Sequence, residues 1–191
     1  MVASSSDPVG EGYIASFARP GGNVTGLTYA VSSERFAKQL EILKETVGTL
    51  SRVAVLWDAD SDLFHRTWRP ALDDAARHLG LVVRGPYIVS KPEDFEPIFA
   101  NMRQDRPDGL LVTTGVIFPH RDRVARLAVE HRLATIAAFR EFPQTGSLLS
   151  YGPTIAAIYG RAPAFVDKIV KGTPPEKSLS NSLQSTTLCS T

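Results

Sequence analysis

The sequence predicts an α/β fold, a doubly wound parallel sheet, and two patterns carry that prediction. Short strands alternate along the chain with amphipathic helices. The strands, such as Arg52–Trp57 and Gly109–Thr114, are apolar throughout instead of alternating with polar residues, which is expected when helices cover both faces of a sheet. Repeated strand–helix units with short connections then favour a parallel sheet wound in both directions.

The first half of the chain contributes two helices and two strands to this prediction. Apolar residues at helical spacing predict a first helix over Ser33–Val47, and Arg52–Trp57 follows as a buried strand. A second helix is predicted over residues 61–79, with a kink at Pro70. The next strand, over residues 81–89, is predicted to be interrupted at Gly85 and Pro86.

The second half continues the same alternation. Ser90 and Glu93 have the spacing of a capping box, which predicts the start of a third helix before Phe95. The remaining elements are predicted from apolar runs and helical periodicity: strands over residues 109–114, 135–139 and 147–151, a helix opened by Pro119, and a last helix over residues 154–171 with Pro163 inside it.

The fold class also predicts where a ligand binds. In open α/β sheets, ligands lie beyond the carboxyl ends of the strands, close to the point where the strand order reverses. The polar and aromatic candidates at predicted strand ends are Asp58, Asp60, Thr114, Gly115, Phe139, Arg140, Glu141 and Tyr151. Two interpretations stay open for them. Asp58 and Asp60 either contact a ligand or cap the following helix, Arg140 either meets a ligand carboxylate or pairs with Glu141, and the Tyr151 ring faces either the cleft or the core.

Composition excludes several classes of partner. The chain has 191 residues with 21 Lys and Arg against 20 Asp and Glu, so its net charge of +1 gives no reason to expect nucleic acid as a ligand. No apolar run approaches the roughly 18 residues of a membrane span, and the start of the chain lacks a signal-peptide pattern. Cys189 is the only cysteine and the histidines lack ligand spacing, so neither a metal nor another cofactor is expected.

One catalytic alternative rests on Asp58 and Asp60. A strand that ends in Asp-x-Asp, followed by another that ends at Thr113 and Thr114, is similar to the first two motifs of haloacid-dehalogenase-like phosphatases. In that family the first aspartate is the nucleophile and the second a general acid. No later strand ends in the acidic pair that would hold the magnesium ion, and the chain is therefore predicted not to be an enzyme.

Eight spaced segments, in order along the chain, carry a family resemblance: DPVGEG, SFARPGGNVTGLT, KQLEILKE, RVAVL, AARHLGL, FREF, SYG and FVDKIVKGTPPE, within residues 7–176. With these segments the chain resembles the bacterial substrate-binding proteins of ABC transporters, of the type that includes tryptophan/tyrosine-binding lipoproteins. The resemblance implies one lobe of a two-lobed, type I periplasmic-binding-protein-like fold. It implies capture of a small molecule, an amino acid or related metabolite, in an interlobe cleft, and delivery to an ABC permease without a chemical reaction.

The resemblance also implies that the chain is truncated. DPVG lies in mid-protein in this family, so residues 1–30 correspond to a remnant of the first lobe and the crossover, and residues 31–177 to the second lobe. Asp7 then lies at the lobe junction, where it either contacts ligand or caps a helix. The intact family is periplasmic, whereas a chain without an export signal is expected to stay in the cytoplasm. The exposed interlobe surface is expected to favour self-association.

The last segment departs from the family. Residues 178–191 contain no charged side chain, although the family continues here with a strand similar to LPVEQPTKYDFVLN. One choice of synonymous codons for SLSNSLQSTTLCST encodes PVEQPTKYDFVLN in another reading frame. Residues 178–191 are therefore predicted to be an aberrant, disordered tail produced by a frameshift, which the gene sequence can test.

Overall fold

The computed structural model describes residues 2–5, 8–10, 12–17, 19–28, 33–58, 68–160, 162–175 and 187–190. They divide into two compact units. The smaller unit comprises residues 1–31 and 153–186, and the larger unit comprises residues 32–152 and 187–191. The domain boundaries expected from the family resemblance stay predictions.

The described elements follow one another in the predicted alternation. The strands are β1 (Val2–Ser5), β2 (Gly26–Thr28), β3 (Arg52–Asp58), β4 (Val82–Val89), β5 (Gly109–Val112), β6 (Ala134–Ala137), β7 (Leu149–Gly152) and β8 (Thr187–Ser190). The α-helices are α1 (Ser33–Thr46), α2 (Arg69–His78), α3 (Phe95–Asp105), α4 (Arg121–Glu130), α5 (Ile155–Tyr159) and α6 (Ala162–Val170). Short 3-10 turns lie at Pro92–Asp94, Gly115–His120 and Pro143–Thr145.

The larger unit is built on one sheet with the strand order β4-β3-β5-β6-β7-β8. The first five strands in this order are parallel, and β8 pairs antiparallel with β7. Leu56 pairs with Val112, and Val112 pairs with Ala137, so the carboxyl ends of the three central strands are aligned. This topology confirms the predicted α/β fold with a doubly wound parallel sheet.

The core of the larger unit lies on both faces of the central strands. Residues 53–57 of β3 and all of β5 are buried, as expected for strands that helices cover on both sides. The largest fully buried side chains come from the strands and from the helices packed on them, and include Leu40, Leu43, Leu56, Leu72, Phe95, Phe99, Leu110 and Leu111. The uninterrupted apolar runs of these strands therefore predicted burial on both faces of the sheet correctly.

Two local predictions are refined by the structure. β4 runs as one strand through Gly85 and Pro86, but its pairing with β3 shifts register there, so the predicted interruption is an irregularity of the pairing at the edge of the described sheet, where a proline without an N–H can be accommodated. Before α3, the cap is the Asp94 carboxylate, which accepts hydrogen bonds from the backbone N–H groups of Ser90 and Lys91 at 2.9 and 3.0 Å. Glu93, the predicted partner, is not that acceptor.

Two prolines also have a different role from the predicted one. Pro70 lies in the first turn of α2, where its missing N–H costs no helical hydrogen bond. The part of the predicted helix over residues 61–67 lies outside the described residues. The last predicted helix is divided into α5 and α6, and Pro163 lies in the first turn of α6.

The smaller unit contains the parallel pair β1 and β2 together with α5 and α6. Thr154 caps α5 by accepting a hydrogen bond from the Ala157 N–H at 2.9 Å, and α5 packs on both strands. In the segment predicted as an aberrant tail, β8 is described and residues 176–186 are not. The origin of residues 178–191 in another reading frame stays a prediction.

The side chain of Asp108 links the amino ends of β3 and β5 in the larger unit by hydrogen bonds. Its carboxylate accepts hydrogen bonds from the Ser51 N–H, the Ser51 hydroxyl and the Arg52 N–H at 3.0, 2.6 and 3.0 Å. Burial by itself raises the pKa of this carboxyl, but the hydrogen bonds from Ser51 and Arg52 outweigh it and hold the pKa below its usual value. The ionised carboxylate is therefore stabilised in the folded state.

Replacing Asp108 with alanine is expected to lower the free energy of unfolding by about 1 to 2 kcal/mol at pH 7, because Ser51 and Arg52 lose their acceptor. A pKa that is lower in the folded state gives stability above the unfolded pKa of about 4, which is lost as the pH falls through the folded pKa. The difference between wild type and Asp108→Ala should therefore shrink below pH 4 in urea titrations. The exposed Asp122→Ala is the control, and a pH-independent difference would contradict the argument.

Candidate functional site

The order of the strands places a topological switch point between β3 and β5. From β3 the chain runs outward to β4 on one side, and then returns past β3 to form β5 on its other side. β4 and β5 thus lie on opposite sides of β3, and in open α/β sheets ligands bind beyond the carboxyl ends of the strands at such a point. Asp58 ends β3, and Thr113, Thr114 and Gly115 follow β5.

Asp58 and Gly115 are in close contact at this switch point. A Cβ atom placed on Gly115 would lie 1.5 Å from Asp58 Oδ2, and Gly115 has a φ of +65°. Both the space and the backbone conformation therefore require glycine. The Gly115 N–H donates a hydrogen bond to the Thr114 hydroxyl, which fixes the start of the 3-10 turn beside the carboxylate.

The Asp58 carboxyl is largely enclosed, and this burial raises its pKa. A hydrogen bond from its own backbone N–H and one from the Thr113 hydroxyl oppose the shift without cancelling it. The same hydroxyl lies 3.0 Å from the Leu56 carbonyl oxygen and has only one proton to donate. No charged group among the described residues contributes to the shift. Asp58 is thus a half-buried acid without a cationic partner in the described part of the chain.

The raised pKa of Asp58 gives a pH dependence that can be measured. A carboxyl whose pKa is higher in the folded state contributes most stability below its unfolded pKa, and loses that contribution as the pH rises through the folded pKa. Wild type should therefore lose more stability than Asp58→Asn as the pH rises above about 4. Urea unfolding of both proteins across this range, with Asp122→Asn as the surface control, measures the effect. Parallel profiles for the two proteins would refute it.

The connection after β6 approaches the same turn through aromatic side chains. The rings of Phe139 and Phe118 lie 5.6 Å apart with an edge-to-face geometry, and Phe118 makes a similar contact with Phe142 at 5.9 Å. The Phe139 ring is 3% exposed and belongs to the core of the larger unit. Arg140 is exposed, and Glu141 is half-buried. The structure therefore brings the ends of β3, β5 and β6 together, as predicted.

Gln39 is a polar residue at this edge of the sheet that sequence reasoning missed. Its side chain on α1 is 1% exposed, and its Nε2 donates hydrogen bonds to the carbonyl oxygens of Ala137 and Tyr151 at 3.3 and 3.0 Å. It thereby joins the carboxyl ends of β6 and β7, where the ladder between them stops at Ala137 and Ser150. A glutamine inside the apolar stripe of α1, between Phe36 and Leu43, was the available indication.

An aromatic cluster flanks the end of β3. Phe36 of α1 lies 5.9 Å from the Trp57 ring and 5.7 Å from the Trp68 ring, measured between ring centroids. Trp57 and Trp68 are the only tryptophans of the chain. Because Trp57 directly precedes Asp58, its indole is a probe of events at the switch point.

The other candidate positions are placed as follows. Tyr151 in β7 is half-buried, and its carbonyl accepts the hydrogen bond from Gln39. Asp7 and Asp60 lie outside the described residues. Within the described ranges, no three His, Cys, Asp or Glu side chains are grouped so that they could hold a metal ion. In the same ranges, no helix has the length and hydrophobicity needed to cross a membrane.

An open α/β sheet with a polar group at its switch point is typical of ligand-binding α/β proteins. The model of the family described as ABC transporter substrate binding protein matches residues 1–189, and the chain belongs to this family. The family resemblance is therefore confirmed. Its members are substrate-binding proteins and not enzymes, and the match gives no support to a haloacid-dehalogenase-like phosphatase. A search of curated proteins found no match.

Solved structures show the same fold. The chain superposes with a TM-score of 0.83 and 18% identity on an ABC domain in complex with L-Trp from Streptococcus pneumoniae, covering 97% of this chain and 63% of that one. A conserved domain protein from Vibrio cholerae gives a TM-score of 0.80 at 17% identity, with 97% and 61% covered. A ligand-free, open substrate-binding protein from Clostridium difficile gives 0.64 at 22% identity, with 98% and 62% covered. The chain thus spans somewhat less than two thirds of these proteins.

Proposed function

We propose that the chain supplies the second lobe of the solute-binding component of an ABC-type uptake transporter, and that it binds an amino acid or related metabolite in an interlobe cleft. The observation that carries this proposal is the half-buried Asp58 carboxylate at the switch point, held against Gly115 without a cationic partner among the described residues. A ligand ammonium group would compensate its charge. The complex of a similar structure with L-Trp supports an amino acid as the ligand class.

Binding of this kind works through lobe closure. A ligand that contacts both lobes only in the closed state shifts the equilibrium between open and closed forms, and a permease then recognises the closed form. No bond is made or broken, so the protein needs no catalytic group. We place the intact protein in the periplasm with an ABC permease as its partner. We also propose self-association through the surface of this lobe that faces the other one, which sedimentation at increasing concentration tests.

The remaining candidate residues are proposed as further ligand contacts. Thr114 and Gly115 offer polar groups at the start of the 3-10 turn, and Arg140 is placed to meet a ligand carboxylate. Tyr151 lies at the end of β7 and presents its ring to the ligand. Phe139 and Glu141, which follow β6, belong to the proposed set, and Asp7 and Asp60 are proposed as contacts from the sequence alone. One lobe carries only part of the ligand contacts, so this chain by itself is expected to bind with millimolar affinity.

Nuclear magnetic resonance of the chain tests this proposal with the indole N–H signals of Trp57 and Trp68. Titration with the twenty L-amino acids to 20 mM should give a saturable shift of the Trp57 signal for at least one of them. The α-keto acid of the same side chain, which lacks the ammonium group, should give none. Asp58→Asn should abolish the shift and Asp122→Asn should retain it. An equal shift with the keto acid, or none with any amino acid, would contradict the role of Asp58.

The phosphatase alternative predicts a different result for Asp58→Asn. An aspartyl nucleophile at Asp58 requires magnesium-dependent hydrolysis of p-nitrophenyl phosphate that Asp58→Asn abolishes. The binding function predicts no turnover by either protein. Turnover by wild type that disappears in Asp58→Asn would overturn the proposed function.

A further inference from the structure

A cavity lies at the opposite edge of the sheet from Asp58. Its volume is about 190 Å³, and it is lined by Met102, Arg103, Arg106, Pro107, His131 and Leu133, which together are called the cationic cavity. Pro107 shortly precedes β5 and Leu133 directly precedes β6, so the cavity lies beside the amino ends of these strands. Met102 and Leu133 are buried and form an apolar floor, whereas Arg103 and Arg106 are exposed at the rim.

The positive charge of the cationic cavity is not balanced by the nearest acidic residues in the sequence. Neither Arg103 nor Arg106 takes part in any ion pair within the described part of the chain. The acidic neighbours are held by other partners: Asp105 by the Tyr87 hydroxyl, Asp108 by Ser51 and Arg52, and Glu130 by Arg126. Two arginines therefore flank the cavity without a carboxylate, and the His131 ring, which is tilted against the Phe99 ring at 5.6 Å between centroids, also lines it.

The negative carboxyl ends of the neighbouring helices do not neutralise the positive charge of the cationic cavity. Helices α3 and α4 both end beside the cavity, and each carries about half a negative elementary charge at its carboxyl end. Together they amount to about one negative charge, against two permanent positive charges on the arginines. The excess remains available to an anion.

The backbone conformation at this edge of the sheet is an independent indication that an arginine here has a function. Arg106 follows α3 with a φ of 47°, and Arg132, between His131 and Leu133, has a φ of 56°. Glycine is the usual residue where a helix ends in the left-handed conformation, because a side chain there is strained. Two successive helices at this edge instead have arginine in that conformation. Of the two, Arg106 lines the cationic cavity, and a charged side chain retained in an unfavourable backbone conformation points to a use of that side chain.

We propose that the cationic cavity binds a small oxyanion of the size of phosphate, separately from the ligand at the switch point. A water molecule occupies about 30 Å³ in the liquid, so the cavity accommodates such an anion together with ordered water. The two guanidinium groups donate charge-assisted hydrogen bonds to its oxygens, and His131 supplies a further N–H donor. The apolar floor limits the site to small ligands.

Thermal unfolding in potassium phosphate and in potassium chloride of equal ionic strength tests this site. Phosphate at tenfold above its dissociation constant should raise the Tm of wild type by about 3 °C relative to chloride. Arg106→Gly is the informative variant, because it removes the side chain and relieves the backbone. Its Tm in chloride should equal or exceed that of wild type, while the rise caused by phosphate disappears.

Two further variants separate binding from general charge effects. Arg103→Gln should reduce the phosphate-dependent rise at least threefold, whereas Arg77→Gln, a surface arginine of α2 paired with Asp74, should leave it unchanged. Phosphate should also shift the imidazole signals of His131 in wild type and not in Arg106→Gly. Equal Tm values in phosphate and chloride, a rise retained by Arg106→Gly, or an equal loss in Arg77→Gln would each overturn the proposal.

Discussion

Replacing Gly115 with alanine is expected to lower the free energy of unfolding by about 3 kcal/mol. The added Cβ would lie 1.5 Å from Asp58 Oδ2, so the carboxylate must leave its position. In addition, a φ of +65° costs an alanine about 1 kcal/mol. Urea unfolding gives the stability, and the Trp57 indole signal reports the displacement of Asp58.

Gly80 provides a matched control for this substitution. It has a φ of +66°, almost the same as that of Gly115, but no atom lies within 4 Å of an added Cβ. Gly80→Ala should therefore cost only the backbone strain of about 1 kcal/mol. The double variant Asp58→Ala, Gly115→Ala should recover most of the remaining loss, because the clashing carboxylate is gone. Equal losses in Gly80→Ala and Gly115→Ala, or no recovery in the double variant, would refute the contact.

Replacing Gln39 is expected to have the second large effect, because its amide serves two backbone carbonyls where β6 and β7 separate. Gln39→Leu leaves the Ala137 and Tyr151 carbonyl oxygens without this donor, a penalty of about 1 to 3 kcal/mol for each buried group left unpaired. It also removes the buried Oε1, which has no partner among the described residues and offsets part of that penalty. The net loss should be about 2 kcal/mol.

The charge variant at the same position should be less stable still at neutral pH. In Gln39→Glu the ionised carboxylate would face two carbonyl oxygens in a buried site, so its pKa must rise above the usual value. The protonated form is favoured in the folded state, and the loss should therefore be largest at pH 8 and smaller at pH 5. Gln104→Leu, an exposed glutamine of α3, is the control. A pH-independent loss in Gln39→Glu would contradict the buried position.

These substitutions relate stability to the proposed ligand site. Asp58 is enclosed without a compensating charge among the described residues, and such a group lowers the stability of the fold that holds it. Gly115 gives it space, and Gln39 fixes the strand ends beside it. A residue that costs stability and is supported in this way is typical of a binding site, where affinity for the ligand repays the cost. We therefore expect Asp58→Asn to be more stable than wild type at neutral pH and to have lost ligand binding.

The sequence by itself determined the fold class and which strand ends meet at one edge of the sheet. The apolar runs of β3 and β5 indicate that helices cover both faces of the sheet, because an exposed face would have required alternating polar residues. In a parallel sheet all strand ends of one type lie at the same edge, so Asp58, Thr114 and Phe139 could be placed together without coordinates. The segment RPGGNVTG and its neighbours then indicated the family.

Only the tertiary structure decided which side chains meet across that edge and what surrounds them. Gln39 contacts Ala137 and Tyr151, about a hundred residues away in the chain, and no local pattern encodes such a contact. The enclosure of Asp58 by Gly115 and the unbalanced arginines of the cationic cavity likewise depend on distances between separate elements. Periodicity follows from the geometry of one helix or strand, whereas the pairing of polar groups depends on how several elements pack together.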